Sequence, residues 1–378
     1  MLLRRLGRTA VEVPTIAFGG AALSFGRGEV EPLHGAFRHL TDAQASETLE
    51  AAWVQGVRFY DTAPWYGRGL SEHRVGASLW ARPRAEFVVN TKVGRVLRRP
   101  RGLGLGAAPR WESGVDQHEA GAAEVMSPLC GGLPFEHDFD YSYDGIMRAF
   151  EDSLQRLRLN RVDTLTIHDL DDNHFSSQLK RDAQLAALYT SGWRALDELK
   201  RGGDVGAVGA GVNNLGDMDR FLDTVPLDFF SLSQRYTLAE QDTLETGELQ
   251  RCEAEGVGVI AAAIFNSGLL VRGTRGLTGV PVYNYAPAPE AVLRKVGAIE
   301  DVCDAHGVEL PAAALQFPLA HPCVASVVVG MSTPQEIEQN ISRLNAPIPL
   351  AFWAELKEAG LLREDAPTPT EVAGGGTH

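Results

Sequence analysis

The sequence predicts an α/β fold of the (β/α)8 barrel class, and three observations carry that prediction. Strand-like and helix-like segments alternate along most of the 378 residues, the pattern of a parallel sheet with crossover helices. The units number about eight, more than an open doubly wound sheet usually holds. No Gly-x-Gly-x-x-Gly follows a first strand, since Gly102, Gly104 and Gly106 lack a strand before them and a helix after.

The elements follow in order. Leu6, Val11 and Val13 alternate around Gly7 and predict a small hairpin over residues 1–13. Residues 14–20 form a short apolar strand ending in two glycines. Thr41 and Gln44 have capping-box spacing, with Ala45, Leu49, Ala52 and Trp53 on one helical face and Gly56 as the stop. Strands are expected at 57–61 and 87–92. Ile146, Phe150, Leu154 and Leu157 make one apolar stripe on a helix over 143–157, which leads into a strand over 162–168. Further helix–strand pairs are expected at 193–200 with 205–212, 218–222 with 229–232, 243–255 with 257–263, and 289–306 with 324–330. Residues 1–363 then make a single barrel. Residues 95–140 break its rhythm as a long insertion after the third strand, read as a lid with Trp111 or Phe135 as contacts, or else as a disordered or oligomer-forming excursion. Residues 364–378 read as a disordered tail.

Composition narrows the function. A formal net charge of −14 disfavours nucleic acid and anionic membranes as partners. The longest apolar run, residues 323–331, is too short to span a bilayer, and no signal peptide opens the chain. Four dispersed cysteines without a C-x-x-C pair fit reduced thiols in a cytoplasmic protein. His118-Glu119 and His137-Asp138 lack further ligands at supporting spacing, so no metal is expected.

Four polar residues stand where a barrel opens its active-site mouth, at the C-terminal ends of strands. Asp61 ends the second strand and Tyr66 follows five residues later; Lys92 ends the third strand and His168 the fourth. Singly, a strand-end Asp or Lys reads as a barrel salt bridge and a lone His as a structural residue. Together they make coherent chemistry. Tyrosine, with a free pKa of about 10, becomes a better base beside the Lys92 cation. Asp61 holds Lys92 charged, and His168 donates a hydrogen bond to the reacting oxygen. Tyr66 then exchanges a hydroxyl proton while hydride passes to or from a nicotinamide.

These residues resemble the tetrad of the aldo-keto reductases, and the resemblance runs over roughly residues 1–350. Leu6-Gly7-Arg8-Thr9 and Phe18-Gly19-Gly20 resemble that family's opening. Phe59-Tyr60-Asp61-Thr62-Ala63, Tyr66-Gly67, Ser71-Glu72 and Gly76 resemble its first signature; Leu157, Asp163 and His168 match its middle one. Gly330-Met331-Ser332-Thr333-Pro334 with Asn340 resembles its nucleotide-binding end. The runs 131–136, 139–142, 153–157, 168–170 and 266–270 resemble the branch holding D-threo-aldose 1-dehydrogenase, L-fucose dehydrogenase and pyridoxal 4-dehydrogenase.

The resemblance implies a nicotinamide site at Gly19, Asn213, Gln234, Phe265, Asn266, Ser267, Gly268, Gly330, Ser332, Thr333, Glu336 and Asn340. Two departures stand out. The fifth strand ends Gly211-Val212-Asn213-Asn214 without the family's Ser, so Asn213 reads equally as a turn residue. No Lys or Arg occupies Gly330, Ser332 or Glu336, where NADP-preferring members place basic groups, which implies NAD over NADP. Glu336 is also the natural acid of a capping box opened by Thr333. Trp65 and Asp169 are candidate substrate contacts, whereas Asp171 and Asp172 read as a solvated loop. The expected reaction is oxidation of an aldose at C1 to a lactone, with a sugar or aldehyde as the small-molecule partner. A pyridoxal dehydrogenase, an NADPH-dependent aldehyde reductase, a non-catalytic nicotinamide-binding sensor and a Schiff-base lyase through Lys92 are the rivals.

Overall fold

A computed structural model describes residues 1–24, 40–100, 132–275, 279–284 and 286–370. Eight parallel strands close into a barrel: β3 (Ile16–Gly19), β4 (Phe59–Asp61), β5 (Val88–Val93), β8 (Thr164–Ile167), β9 (Ala207–Val212), β10 (Phe229–Ser233), β11 (Gly258–Ala262) and β14 (Val324–Gly330). Sequential neighbours pair throughout, and β14 closes the ring onto β3 through Gly330 opposite Gly19. Close approach demands glycine at Gly19, where a Cβ would stand 3.0 Å from the backbone of residues 329 and 330.

The N-terminal hairpin, β1 (Leu3–Arg5) with β2 (Glu12–Pro14), seals the barrel floor. Leu6 and Val13 pack there with Phe59, Phe229 and Ile260, so the open end is the one where the strands terminate.

Around the ring lie α1 (Asp42–Val54), α2 (Leu70–Leu79), α3 (Tyr143–Leu157), α4 (Gln178–Ala187), α5 (Trp193–Gly202), α6 (Asp217–Leu222), α7 (Asp242–Glu245), α8 (Glu248–Glu255), α9 (Leu269–Arg272), α10 (Glu290–His306), α11 (Leu310–Gln316), α12 (Pro334–Leu344) and α13 (Leu350–Glu358). The capping box at Thr41 and Gln44 is formed. The stripe on α3 buries Ile146, Phe150 and Leu157.

Three expectations are corrected. Residues 193–200 are only the second half of a run that starts at Gln178 and passes through a π turn at 188–192; α4 buries little besides Leu185, too weak a stripe to read. Residues 243–255 are two helices, broken at Gly247 with φ +82°. The insertion at 95–140 is not without structure at its ends, because β6 (Arg95–Arg98) pairs antiparallel with β7 (Glu136–Phe139). Arg98 grips Glu136 and Asp138 across that ribbon. A second small ribbon joins β12 (Val282–Tyr283) to β13 (Ala286–Pro287).

Trp111, His118, Glu119 and Cys130 lie outside the described residues. Of the segment 364–378, residues 364–370 are described and Ala366 is buried, while 371–378 lie outside them. No helix among the described residues is long and apolar enough to cross a membrane.

Candidate active site

Strand register brings the tetrad together. Asp61 sits opposite Asn90 on β5, and Lys92, two residues on, points to the same side of that strand. The Lys92 ammonium reaches both Asp61 carboxylate oxygens at 3.0 Å and the Thr62 carbonyl at 2.9 Å. Burial works against that charge, but Asp61 and Tyr66 carry the Lys92 pKa upward, so it stays protonated. The Lys92 nitrogen lies 4.5 Å from the Tyr66 ring centre, close enough for its charge to act on the phenol. On the other side the His168 ring meets Tyr66 edge-on at 5.9 Å.

The pKa of Tyr66 departs from expectation. Burial pushes the phenol up to about 12; Lys92 pulls the other way without winning, and Asp61 adds to the rise. Sequence reasoning counted the cation and not the desolvation. His168 is held well below the usual imidazole range, first by burial and then by Lys92 and Arg95, against the pull of Asp169. Its Nδ1 is buried and has no hydrogen-bond partner.

Asn90 is the residue the sequence reading missed on this side. Its amide donates to Asp61 at 2.6 Å and its oxygen accepts from Thr164 and Thr166 at 2.8 and 2.9 Å. It thus braces β4, β5 and β8. The available signal was its position two residues before Lys92.

Asp169 is more constrained than a free sugar acceptor. It adopts φ +53° and binds Arg95 at 2.7 Å, with His168 Nε2 at 3.3 Å and His174 Nε2 at 3.7 Å. Burial opposes its charge, yet His168, His174 and Arg95 hold the carboxyl well below its ordinary pKa. Asp171, read as solvated, is buried and binds His174 at 2.7 Å and the Asn213 amide at 2.8 Å. For His174, burial alone would lower the pKa, but Asp169 and Asp171 raise it. Ligand atoms of Asp169, Asp171 and His174 lie within 4.8 Å of one another, as around a metal. Arg95, Asn213 and His174 itself already meet the negative charge there.

A cavity of about 630 Å³ runs from this cluster across the barrel mouth, within the usual range for a small-molecule site. Its wall near the tetrad includes Trp65, Asp169, Asn173 and His174. Of the expected cofactor residues, Gly19, Asn213, Gln234, Phe265, Ser267, Gly268, Gly330, Ser332, Glu336 and Asn340 line it. Two do not. Asn266 is buried behind the wall with its amide on Asn284 at 2.9 Å, and Thr333 accepts from the Glu336 N–H at 3.2 Å as the α12 cap.

Two residues whose roles the sequence leaves open make definite contacts. The Asn213 amide nitrogen is given to Asp171. The Glu336 carboxylate accepts from the Ser332 N–H at 2.6 Å, at the start of α12. Arg272 and Arg343 line the cavity and were overlooked, lying one on either side of the positions compared in the sequence. The residues fit a nucleotide on one structural observation: Asn340, in the wall, keeps a buried amide oxygen with no protein partner, an acceptor awaiting a donor.

Comparison with known proteins decides the family. The aldo/keto reductase family model matches residues 15–360. The chain belongs to the aldo/keto reductase family. It is 36% identical over 361 residues to pyridoxal 4-dehydrogenase of Microbacterium luteolum, covering 95% of this chain and 97% of that one. It is 38% identical over 353 residues to D-threo-aldose 1-dehydrogenase of a Pseudomonas species, covering 92% and 95%. The fold matches a glycerol dehydrogenase structure from Gluconobacter oxydans with a TM-score of 0.67 at 21% identity, covering 98% of this chain and 97% of that one. The enzyme is therefore an NAD(P)-dependent oxidoreductase with a small-molecule substrate.

Proposed function

We propose that the enzyme oxidises an aldose at C1 to the lactone, with NAD⁺ as the preferred cofactor. The observation that carries this reading is the Tyr66 phenol between Lys92 and His168 on a cavity whose adjacent wall is polar. Asp169, Asn173 and His174 offer acceptors and donors to sugar hydroxyls, and Trp65 offers an aromatic face to sugar C–H groups.

The bound nicotinamide supplies the acceptor for the hydride that leaves C1. Everything else falls to the chain. Tyr66, as phenolate, takes the proton of the C1 hydroxyl, and Lys92 favours that phenolate by its charge. Asp61 and the Thr62 carbonyl keep the Lys92 ammonium aimed at the phenol. His168, kept neutral by burial, stands beside Tyr66 as the second group for the same reacting oxygen. Because the phenol lies at about 12, the fraction of active phenolate grows as pH rises, so oxidation strengthens toward alkaline pH and reduction weakens.

Gly330, Ser332 and Glu336 present no cation to an adenosine 2′-phosphate, and the Glu336 carboxylate repels one; this supports NAD⁺. Of the two arginines in the cavity wall, Arg343, in the last turn of α12, is paired with Glu309 at 3.0 Å, and Arg272 donates to the Ser267 carbonyl at 3.3 Å.

A second reading, oxidation of pyridoxal, is supported by the 36% identical relative, and uses the same groups. Steady-state assays with both cofactors against aldoses and pyridoxal separate the two. Turnover of a sugar with NAD⁺ well above that of pyridoxal supports the proposal; preference for pyridoxal or for NADP⁺ overturns the corresponding part.

A further inference from the structure

The ribbon formed by β6 and β7 has no assigned role, yet its first residue reaches the catalytic cluster. Gly94 turns the chain out of β5 with φ +104°, and a Cβ there would stand 2.1 Å from the Tyr141 ring. That turn sends Arg95 inward, where it is 3% exposed. Its guanidinium lies between two rings, 4.4 Å from the centre of Trp65 and 4.5 Å from that of Phe139. One nitrogen binds Asp169 at 2.7 Å and another meets His137 Nε2 at 3.0 Å. A fork of this shape, stacked and hydrogen-bonded at once, is a task for arginine and not for lysine.

We propose that Arg95 is a positioning residue for the hydride-transfer site, through which the ribbon fixes both walls beside Tyr66: Asp169 against His168, and Trp65 against the substrate cavity. The inference rests on the tetrad reading and extends it to a residue that the tetrad does not include.

The physical consequence is electrostatic as well as steric. The charged or titratable groups around His168 are Lys92 from β5, Arg95 from β6, Tyr66 from the loop after β4, Tyr141 from the segment before α3, whose phenol donates to the His168 carbonyl, and Asp169 and His174 from the loop after β8. Within this set Asp169 favours a charged imidazole, while Lys92, Arg95 and His174 oppose it. Removing Arg95 both withdraws a cation and frees the Asp169 carboxylate, so both changes favour the protonated His168. Removing the Asp169 charge as well cancels most of that gain. Trp65 loses the Arg95 guanidinium 4.4 Å from its ring centre, and His137, which meets Trp65 edge-on at 4.6 Å, loses its bond to that guanidinium, so the wall they form is held less firmly.

The test uses Arg95→Gln, Arg95→Lys and Arg95→Gln with Asp169→Asn in the full chain. His168 titration is followed by NMR of histidine-labelled protein without cofactor, its signal identified by loss in His168→Gln. Arg95→Gln is expected to raise the His168 midpoint by about one unit, the double variant to return it toward the parent, and Arg95→Lys to shift it less. The acid limb of kcat/KM for sugar oxidation should move with it, and KM should rise on the order of 10-fold in Arg95→Gln. An unmoved His168 midpoint in Arg95→Gln overturns the proposal. If that variant does not fold, Arg95→Lys with an unmoved midpoint and an unchanged KM overturns it equally. The NMR readout needs no turnover, so failure of Tyr66 as the base would leave this result standing.

Discussion

The two halves of the barrel mouth are held in different ways. On the tetrad side, Asp61, Lys92 and His168 lie at or within two residues of strand ends, and backbone pairing sets their spacing. On the nucleotide side the groups sit in loops whose backbone turns through left-handed conformations: Gln234, Arg235, Ala263, Asn266 and Ser267 all have positive φ without being glycine. Such conformations persist only where surroundings impose them. Here Glu240 supplies part of that constraint, accepting from Arg235 at 2.8 Å, Asn284 at 3.0 Å and Tyr283 at 2.5 Å. Register positions the groups proposed for proton transfer; side-chain ties between loops position the proposed cofactor groove.

The comparison breaks most visibly at Lys92. Lys92→Met should cost on the order of 10²–10⁴ in turnover and about 3–5 kcal/mol in folding, because Asp61 is left buried and uncompensated. Adding Asp61→Asn should restore much of the stability and none of the turnover. Urea unfolding and kcat, measured on the same three proteins, check both. Stability unchanged in Lys92→Met would mean that the pair does not tie β4 to β5.

This contrast also explains what could be read in advance. The eight strands and the tetrad were legible because two-residue alternation and strand ends are local features of the sequence. Asn90 was legible by the same rule and was overlooked. The groove was legible only in part: ten of its twelve expected residues line the cavity, but the capping-box spacing at Thr333 and Glu336 does not tell that the carboxylate settles on the Ser332 N–H and not on a ribose. Nor does the sequence near Asn213 reveal that Asp171 takes its amide. The Tyr66 pKa failed for another reason: desolvation depends on every element packed around the phenol, and only the cation was visible.

On the nucleotide side the expected effects are smaller. Glu336→Arg should shift the NADP⁺/NAD⁺ ratio of kcat/KM toward NADP⁺ by about 10-fold, an energy of about 1.4 kcal/mol. It should also weaken the start of α12 by about 1 kcal/mol, since the Ser332 N–H loses its acceptor. Kinetics with both cofactors and a thermal melt separate the two effects; an unchanged ratio would remove Glu336 from cofactor choice.

The central claim is that Tyr66 exchanges the proton while hydride moves, and Tyr66→Phe tests it with the ring retained. The pH dependence of kcat for sugar oxidation should be measured for both proteins beside their cofactor affinity. The parent should gain activity as pH rises toward the phenol's value of about 12. The variant should lose on the order of 10²–10⁴ in turnover, lose that rise with pH, and bind cofactor nearly as before. Near-normal turnover in Tyr66→Phe, with the same rise toward alkaline pH, would contradict the account.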